Sequence, residues 1–269
     1  MTKPLQPLDK RTGDIELKAI RPSAAVRAAY QRKLEAAVAE MHRSLSYWLA
    51  ANYRRQAPRM AQDASPAREL RAAMRKLARR WRARFDDLAP QLAEYFSQAA
   101  GDRVDAELKR MLRDAGFTVR FKMTRAQNDA MQATIGENVG LIKSIAEKHL
   151  SSVEGAVMRS VQEGRDLGAL TKELAETYGV TRRRAAFIAK TQNNMATATL
   201  TKTRQKELGV TKARWLHSAG GKHPRPEHVK FSGKTYDVDK GAWLEGKWTW
   251  PGREINCRCV SVPIIPGFD

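Results

Sequence analysis

The residues best suited to chemistry crowd into the last sixty positions. His217, His228, Cys257 and Cys259 are four soft ligands, enough to close a tetrahedral Cys2His2 zinc site. A loop-rich segment of this length would be stabilised by such a metal staple. The Cys-x-Cys spacing differs from the usual Cys-x-x-Cys knuckle, so two small buried thiols beside a hydrogen-bonded histidine remain the alternative. A disulfide across one intervening residue would be strained. His223, between Lys222 and Pro224, reads as exposed. A metal-dependent nuclease built from His217, His228 and Asp237 is a second possibility that no spacing singles out. There is no Gly-rich phosphate loop, no G-x-S-x-G, no H-E-x-x-H and no helix-borne carboxylate pair with a nearby His. No catalytic residue is therefore assigned, and the chain reads as a non-enzyme.

A different chemistry is written in the arginines. Arg68, Arg71, Arg75, Arg79 and Arg82 step by three and four along one helical face, with Lys76, Arg80 and Arg84 beside them. Like charges at these spacings repel by a few tenths of a kcal/mol per pair. A row of guanidinium groups can instead follow a phosphate backbone, each contact releasing a counterion; the alternative is a solvated or internally paired face. Thr181-Arg182-Arg183-Arg184 reads as a helix start whose three cations oppose the dipole. The chain as a whole has 49 Lys+Arg against 29 Asp+Glu, a formal charge of +20. That balance implies anionic company: nucleic acid, an anionic membrane or an acidic protein surface.

The elements that must position these groups are mostly helices. Apolar positions from Val26 through Tyr30, Leu34, Val38, Met41, Leu45, Trp48 and Leu49 lie on one stripe, and Ser23 is a good N-cap; the spacing predicts a helix over 24–55. A second stripe, Leu70 to Leu88, is expected to end near Pro90, and a third, Val104 to Leu112, at Gly116. Alternation over Phe117–Met123 suggests a short strand. Thr124–Gln127 and Ser151–Glu154 fit capping boxes, and Gly116, Gly164, Gly179 and Gly209 look like C′ residues. Helices are thus expected over 124–135, 138–149, 151–163, 167–178 and 181–208. After Gly209 the composition shifts: four of six Trp, both Cys and three of five His follow, with strands expected at 235–238 and 260–265. The expected fold is mainly α: a multi-helix body over 1–209, about +16 in charge, and a small, loop-rich α+β module over 210–269, about +4.

Two cysteines in 269 residues exclude a disulfide-stapled scaffold. The start of the chain has no apolar signal core, and no run of about 18 apolar residues occurs. A reducing cytoplasm, or something assembled there, is the expected setting, with no membrane partner.

The C-terminal segment resembles the Mu F-like family of phage head morphogenesis, or minor head, proteins. The resemblance is carried by Trp215, Arg225-Pro-x-His228, Gly233 and the closing Pro-x-x-x-Ile-Asn-Cys-Arg-Cys259. Arg184-Ala185, Ile188-Ala189 and Gln192 look like the stretch that precedes the module in that family, and Ile20-Arg-Pro-Ser-Ala before the Tyr30 helix is similar to the start of related minor head proteins. One departure is Gly221-Lys-His-Pro, where the family usually places an Asp and further basic residues; this weakens any catalytic assignment. The resemblance implies a virion component docking on the portal protein or the major capsid protein and contacting packaged DNA. A free DNA-binding protein is the remaining alternative.

Overall fold

In the computed structural model, residues 13–55, 66–164, 166–221 and 223–266 are described. The opening residues, which carry the signal-core argument, lie outside them, as does Lys222. Four long helices dominate: α1 (Ala24–Arg55), α2 (Pro66–Asp114), α3 (Arg125–Gln162) and α4 (Leu167–Glu207). A two-residue strand β1 (Ile15–Glu16) precedes them. After α4 come β2 (Lys212–Leu216), the short helix α5 (Pro226–Lys230), β3 (Thr235–Asp237), β4 (Ala242–Leu244), β5 (Lys247–Thr249) and β6 (Val260–Ile265). The fold is mainly α with a small sheet-bearing C-terminal region, as expected from the sequence.

The helices are fewer and longer than their punctuation suggests. Pro90 lies inside α2 rather than at its end. An internal proline costs roughly 3 kcal/mol, but the buried stripe runs straight past it through Phe85, Ala89, Leu92, Ala93, Phe96 and Ala100, and packing outweighs the local penalty. The helices expected at 124–135, 138–149 and 151–163 are one element, α3. Thr124 caps its start, the Gln127 N–H donating to Thr124 Oγ1 at 3.1 Å. The buried Gln127 side-chain amide has no partner among the described residues, so only half of the expected capping box forms, and Ser151 is mid-helix. Gly136 and Gly140 each cost about 1 kcal/mol at most against a buried row from Ile142 to Val157. Gly116, Gly164 and Gly209 do take the left-handed conformation, whereas Gly179 continues α4. Consequently Thr181 caps nothing, and Arg182, Arg183 and Arg184 sit in a helix interior where the dipole argument does not apply. Phe117–Met123 carries no regular secondary structure: burial alternates from Phe117 to Phe121, but no neighbouring strand offers a ladder among the described residues.

The chain packs as two units. One gathers Ala28–Glu94 and Ile135–Ala189. Its core is helical: Tyr30, Leu34, Met41, Leu45 and Leu49 of α1 are buried, as are Leu70, Met74 and Trp81 of α2 and Ile142, Leu150 and Val157 of α3. Trp48, placed on the apolar stripe by its spacing, is instead 46% exposed. Polar groups inside this core are paired where geometry allows. The Tyr30 hydroxyl donates to Asn138 Oδ1 at 2.9 Å, and the Trp81 indole N–H to Ser44 Oγ at 3.2 Å. His149 Nδ1 lies 2.9 Å from Thr181 Oγ1, with His42 edge-on to it and stacked on Tyr178.

Burial, and secondarily His42, pushes His149 down to about 4. A histidine depressed in the folded state is protonated more readily when unfolded. Its contribution is complete above the unfolded value of about 6.5 and is lost as pH falls through the interval toward 4. The chain is expected to lose about 3 kcal/mol between pH 7 and pH 4 from this group alone. Urea unfolding at the two pH values checks it: His149→Leu should flatten the dependence, and an unchanged slope would overturn the assignment.

The other unit comprises the stretch through Arg27, Tyr95–Thr134 and Lys190 onward. Its sheet is antiparallel with order β1-β6-β2-β3. The central pair, β2 and β6, aligns Lys212 with Ile264 through Leu216 with Val260. Alternation on β2 turns Ala213 and Trp215 inward, where they meet Tyr236, Val238, Leu244, Cys257 and Cys259 in one apolar cluster. The strands expected at 235–238 and 260–265 are β3 and β6, while the β4–β5 hairpin has no counterpart in the sequence reading.

Candidate functional site

The sheet, α5 and the closing loop bring three of the four expected ligands together. His228, Cys257 and Cys259 are all buried, and their donor atoms lie within 4.8 Å of one another. His228 Nδ1 is 3.6 Å from Cys257 Sγ and 3.7 Å from Cys259 Sγ. A tetrahedral zinc with bonds of roughly 2.3 Å to sulfur and 2.0 Å to nitrogen sets such atoms about 3.6 Å apart. The separations therefore fit a common ion as well as they fit a thiol–imidazole contact. Both cysteines are free thiols.

Each ligand is held by a local device. Pro226 opens α5, and its single turn places His228 inward against the Trp215 ring, edge to face at 5.0 Å. Asn256 takes φ +61°, a left-handed conformation that asparagine tolerates better than most residues; this bends the chain just before Cys257. The Cys257 carbonyl accepts from buried Asn194 Nδ2 at 2.9 Å, and its N–H donates to the Glu254 carbonyl at 2.9 Å. Gly252, at φ +85°, lets the same loop approach α4: a Cβ there would meet Ala198 Cβ and the Cys259 carbonyl, each at 3.1 Å. Between the two thiols the Cys259 S–H donates to Cys257, which pushes Cys257 well below the usual thiol range and Cys259 above it.

A cavity of about 40 Å³ opens beside the cluster, enough for an ion or a water, and His217 and His223 lie on its wall. His217 is not among the clustered donors, so the structure brings together three of the four expected ligands. His228 Nε2 is buried and unpartnered. Asp237, the carboxylate of the nuclease set, stands apart from the cluster. It accepts the N–H groups of Asp239 and Lys240 at 2.8 and 2.9 Å and so closes a turn.

The α4 segment Thr191–Thr201 supplies what sequence reasoning missed. Thr191, Gln192, Asn193, Asn194, Thr197 and Thr201 are polar and buried. The amide of Asn193 reaches the Ser23 carbonyl at 3.2 Å, and that of Asn194 holds the cysteine loop. Further along, the Arg204 guanidinium is 3% exposed. It binds both oxygens of Asp105 at 2.7 and 2.6 Å, Glu207 at 2.7 Å and the Lys122 carbonyl at 2.9 Å, over the Phe121 ring. The available signal is a long polar run at a place where the helix has to be covered by the module.

The arginines are divided. Arg68, Arg71, Arg75, Arg79 and Arg82 all lie exposed along α2. Arg82 pairs with Glu147 at 2.8 Å, and Arg71 points at Met158 Sδ at 3.8 Å. Arg68, Arg75 and Arg79 have no ion-pair partner among the described residues. On α4, Arg182 faces Glu35 at 3.6 Å and Arg184 donates to Ser144 Oγ at 2.9 Å, while Arg183 is exposed. No described helix is long and apolar enough to cross a membrane.

Residues 151–262 match the family described as Phage Mu protein F like protein. An uncharacterized protein of Haemophilus influenzae is 34% identical over 140 residues, 51% of this chain and 30% of that protein. The chain therefore spans about a third of the length of this relative. No solved structure matches the chain. The segment matched by the Phage Mu protein F like family contains α4, the whole thiol–imidazole cluster, strands β2 to β5 and part of β6.

Proposed function

We propose that the chain is a phage minor head protein, a structural component of head morphogenesis. In this reading it docks on the portal protein or the major capsid protein, resides in the virion head, and contacts packaged double-stranded DNA through sequence-independent basic surfaces. The observation that carries the reading is the Mu F-like match over residues 151–262. The exposed arginines of α2 support the DNA contact, because they repel one another and gain most from a phosphate partner. The chain acts without catalysis in this reading.

The test is recovery of the tagged chain with portal or capsid subunits after nuclease digestion, from cells expressing the neighbouring structural genes. In parallel, reversing Arg71, Arg75 and Arg79 to Glu should weaken DNA binding equally across sequences. It should also reduce the salt slope by about 3, close to one for each phosphate no longer neutralised. Recovery of nucleic acid alone would overturn the head reading in favour of a free DNA-binding protein. An unchanged salt slope would show that the face is merely solvated.

Within the module, we propose that His228, Cys257 and Cys259 hold zinc, with the fourth position filled from the cavity side by His217 or water. A zinc there supplies a structural crosslink between α5 and the closing loop. A metal-dependent nuclease is the second reading. Its support is the open cavity beside three ligands, since catalytic zinc sites keep an open position; plasmid nicking that His228→Ala abolishes would establish it.

A further inference from the structure

The β4–β5 hairpin turns its largest side chains away from the core. Ala242, Leu244 and Thr249 are buried on one face, and the Glu254 carboxylate accepts from Thr249 Oγ1 at 3.0 Å and from Lys247 Nζ at 2.9 Å. Trp243 and Trp248 are directly opposite in the ladder and point outward, 58% and 53% exposed. Their rings meet edge to face at 5.5 Å. Two paired indoles held in water by a hairpin whose inner face is anchored form a preorganised apolar surface, and tryptophan is the type of residue that dominates protein interfaces.

The surroundings select the occupant. The hairpin's two charged residues are already used inside the module: Glu245 lies 3.3 Å from Arg225, and Lys247 is bound to Glu254. No free cation of the hairpin stands beside the rings to grip a phosphate, which disfavours nucleic acid. The exposed indoles offer roughly 250–300 Å², the size of an anchor within a standard interface of roughly 800 Å² per partner. A second copy would bring another +20 of charge. We propose that Trp243 and Trp248 form the anchor by which this chain docks on a different protein of the head, one presenting an apolar cleft on a neutral or acidic surface. The inference rests on the head-protein reading and names the surface that reading lacks.

The test uses the full chain and the purified portal and major capsid subunits encoded beside it. Binding is measured for wild type, for Trp243→Ala/Trp248→Ala and for Trp243→Phe/Trp248→Phe, with thermal melting, DNA affinity and sedimentation run on each. Wild type is expected to bind one of the subunits, the alanine pair about 100-fold or more weakly, and the phenylalanine pair to retain most of the affinity. The melt and DNA binding should not change. Equal binding by the alanine pair overturns the inference and leaves the head reading standing. Loss of DNA binding or of self-association instead, with subunit binding intact, overturns it in favour of nucleic acid or a second copy. Wild type that binds neither subunit overturns the docking reading itself, a result in which no tryptophan variant takes part.

Discussion

Replacing Arg204 by methionine is expected to cost about 3–5 kcal/mol, among the largest single-residue effects on this chain. The guanidinium is 3% exposed and satisfied on every side: both oxygens of Asp105, Glu207, and the Lys122 carbonyl. Methionine fills much of the same volume, so the cost falls on the groups left behind. Asp105 and Glu207 would keep their charges with no cation between them, and the Lys122 carbonyl would lose its donor. Urea unfolding measures the loss. The decisive variant is Arg204→Met combined with Asp105→Leu, which removes the stranded carboxylate and should recover a substantial part of it, since apolar replacement of a whole buried pair is often nearly neutral. A double variant as unstable as the two single losses added together would show that the network is not what holds α2, α4 and residues 117–123 together.

Removing the proposed zinc ligands is expected to have an effect of similar or greater size. If His228, Cys257 and Cys259 hold zinc, the purified chain should contain about one zinc, and Cys257→Ser with Cys259→Ser should contain none. Because structural zinc binding is folding free energy, the loss should be several kcal/mol, comparable with the whole stability of a small domain. A strong chelator should lower the melting temperature of wild type and leave the double variant unmoved. No zinc by elemental analysis, together with an unaltered melt in the double variant, would leave the two thiols as ordinary core packing beside Trp215.

These two sites differ in how far the sequence reveals them. His228, Cys257 and Cys259 are legible because soft ligands are rare and metal coordination constrains residue type directly. His217 groups with them on type alone; in the fold its donor atoms fall outside the cluster, on the wall of the same cavity. Arg204 is invisible among 49 basic residues, because nothing local distinguishes a buried, fully satisfied arginine from a solvated one. Asn194 is hidden for the same reason: its role is a hydrogen bond to a carbonyl 63 residues away.

What the sequence determined by itself was local or periodic. The apolar stripes set the helical class, Ser23 capped α1 through a bond from the Val26 N–H at 3.3 Å, and Gly116, Gly164 and Gly209 marked helix ends through a backbone conformation that glycine adopts without strain. Tertiary structure decided where such signals were overruled. Pro90, Gly136 and Gly179 each carry a local penalty of about 3 kcal/mol or less, and a buried row continuing on both sides exceeds it, so breaks written in the residues do not appear in the helices. Alternation at Phe117–Met123 failed for the opposite reason: a strand needs a partner, and a pattern within one segment cannot supply one. The outward tryptophans of the β4–β5 hairpin belong to the same class, since alternation allows either face to be inward and only the packing of Ala242, Leu244 and Thr249 fixes which one it is.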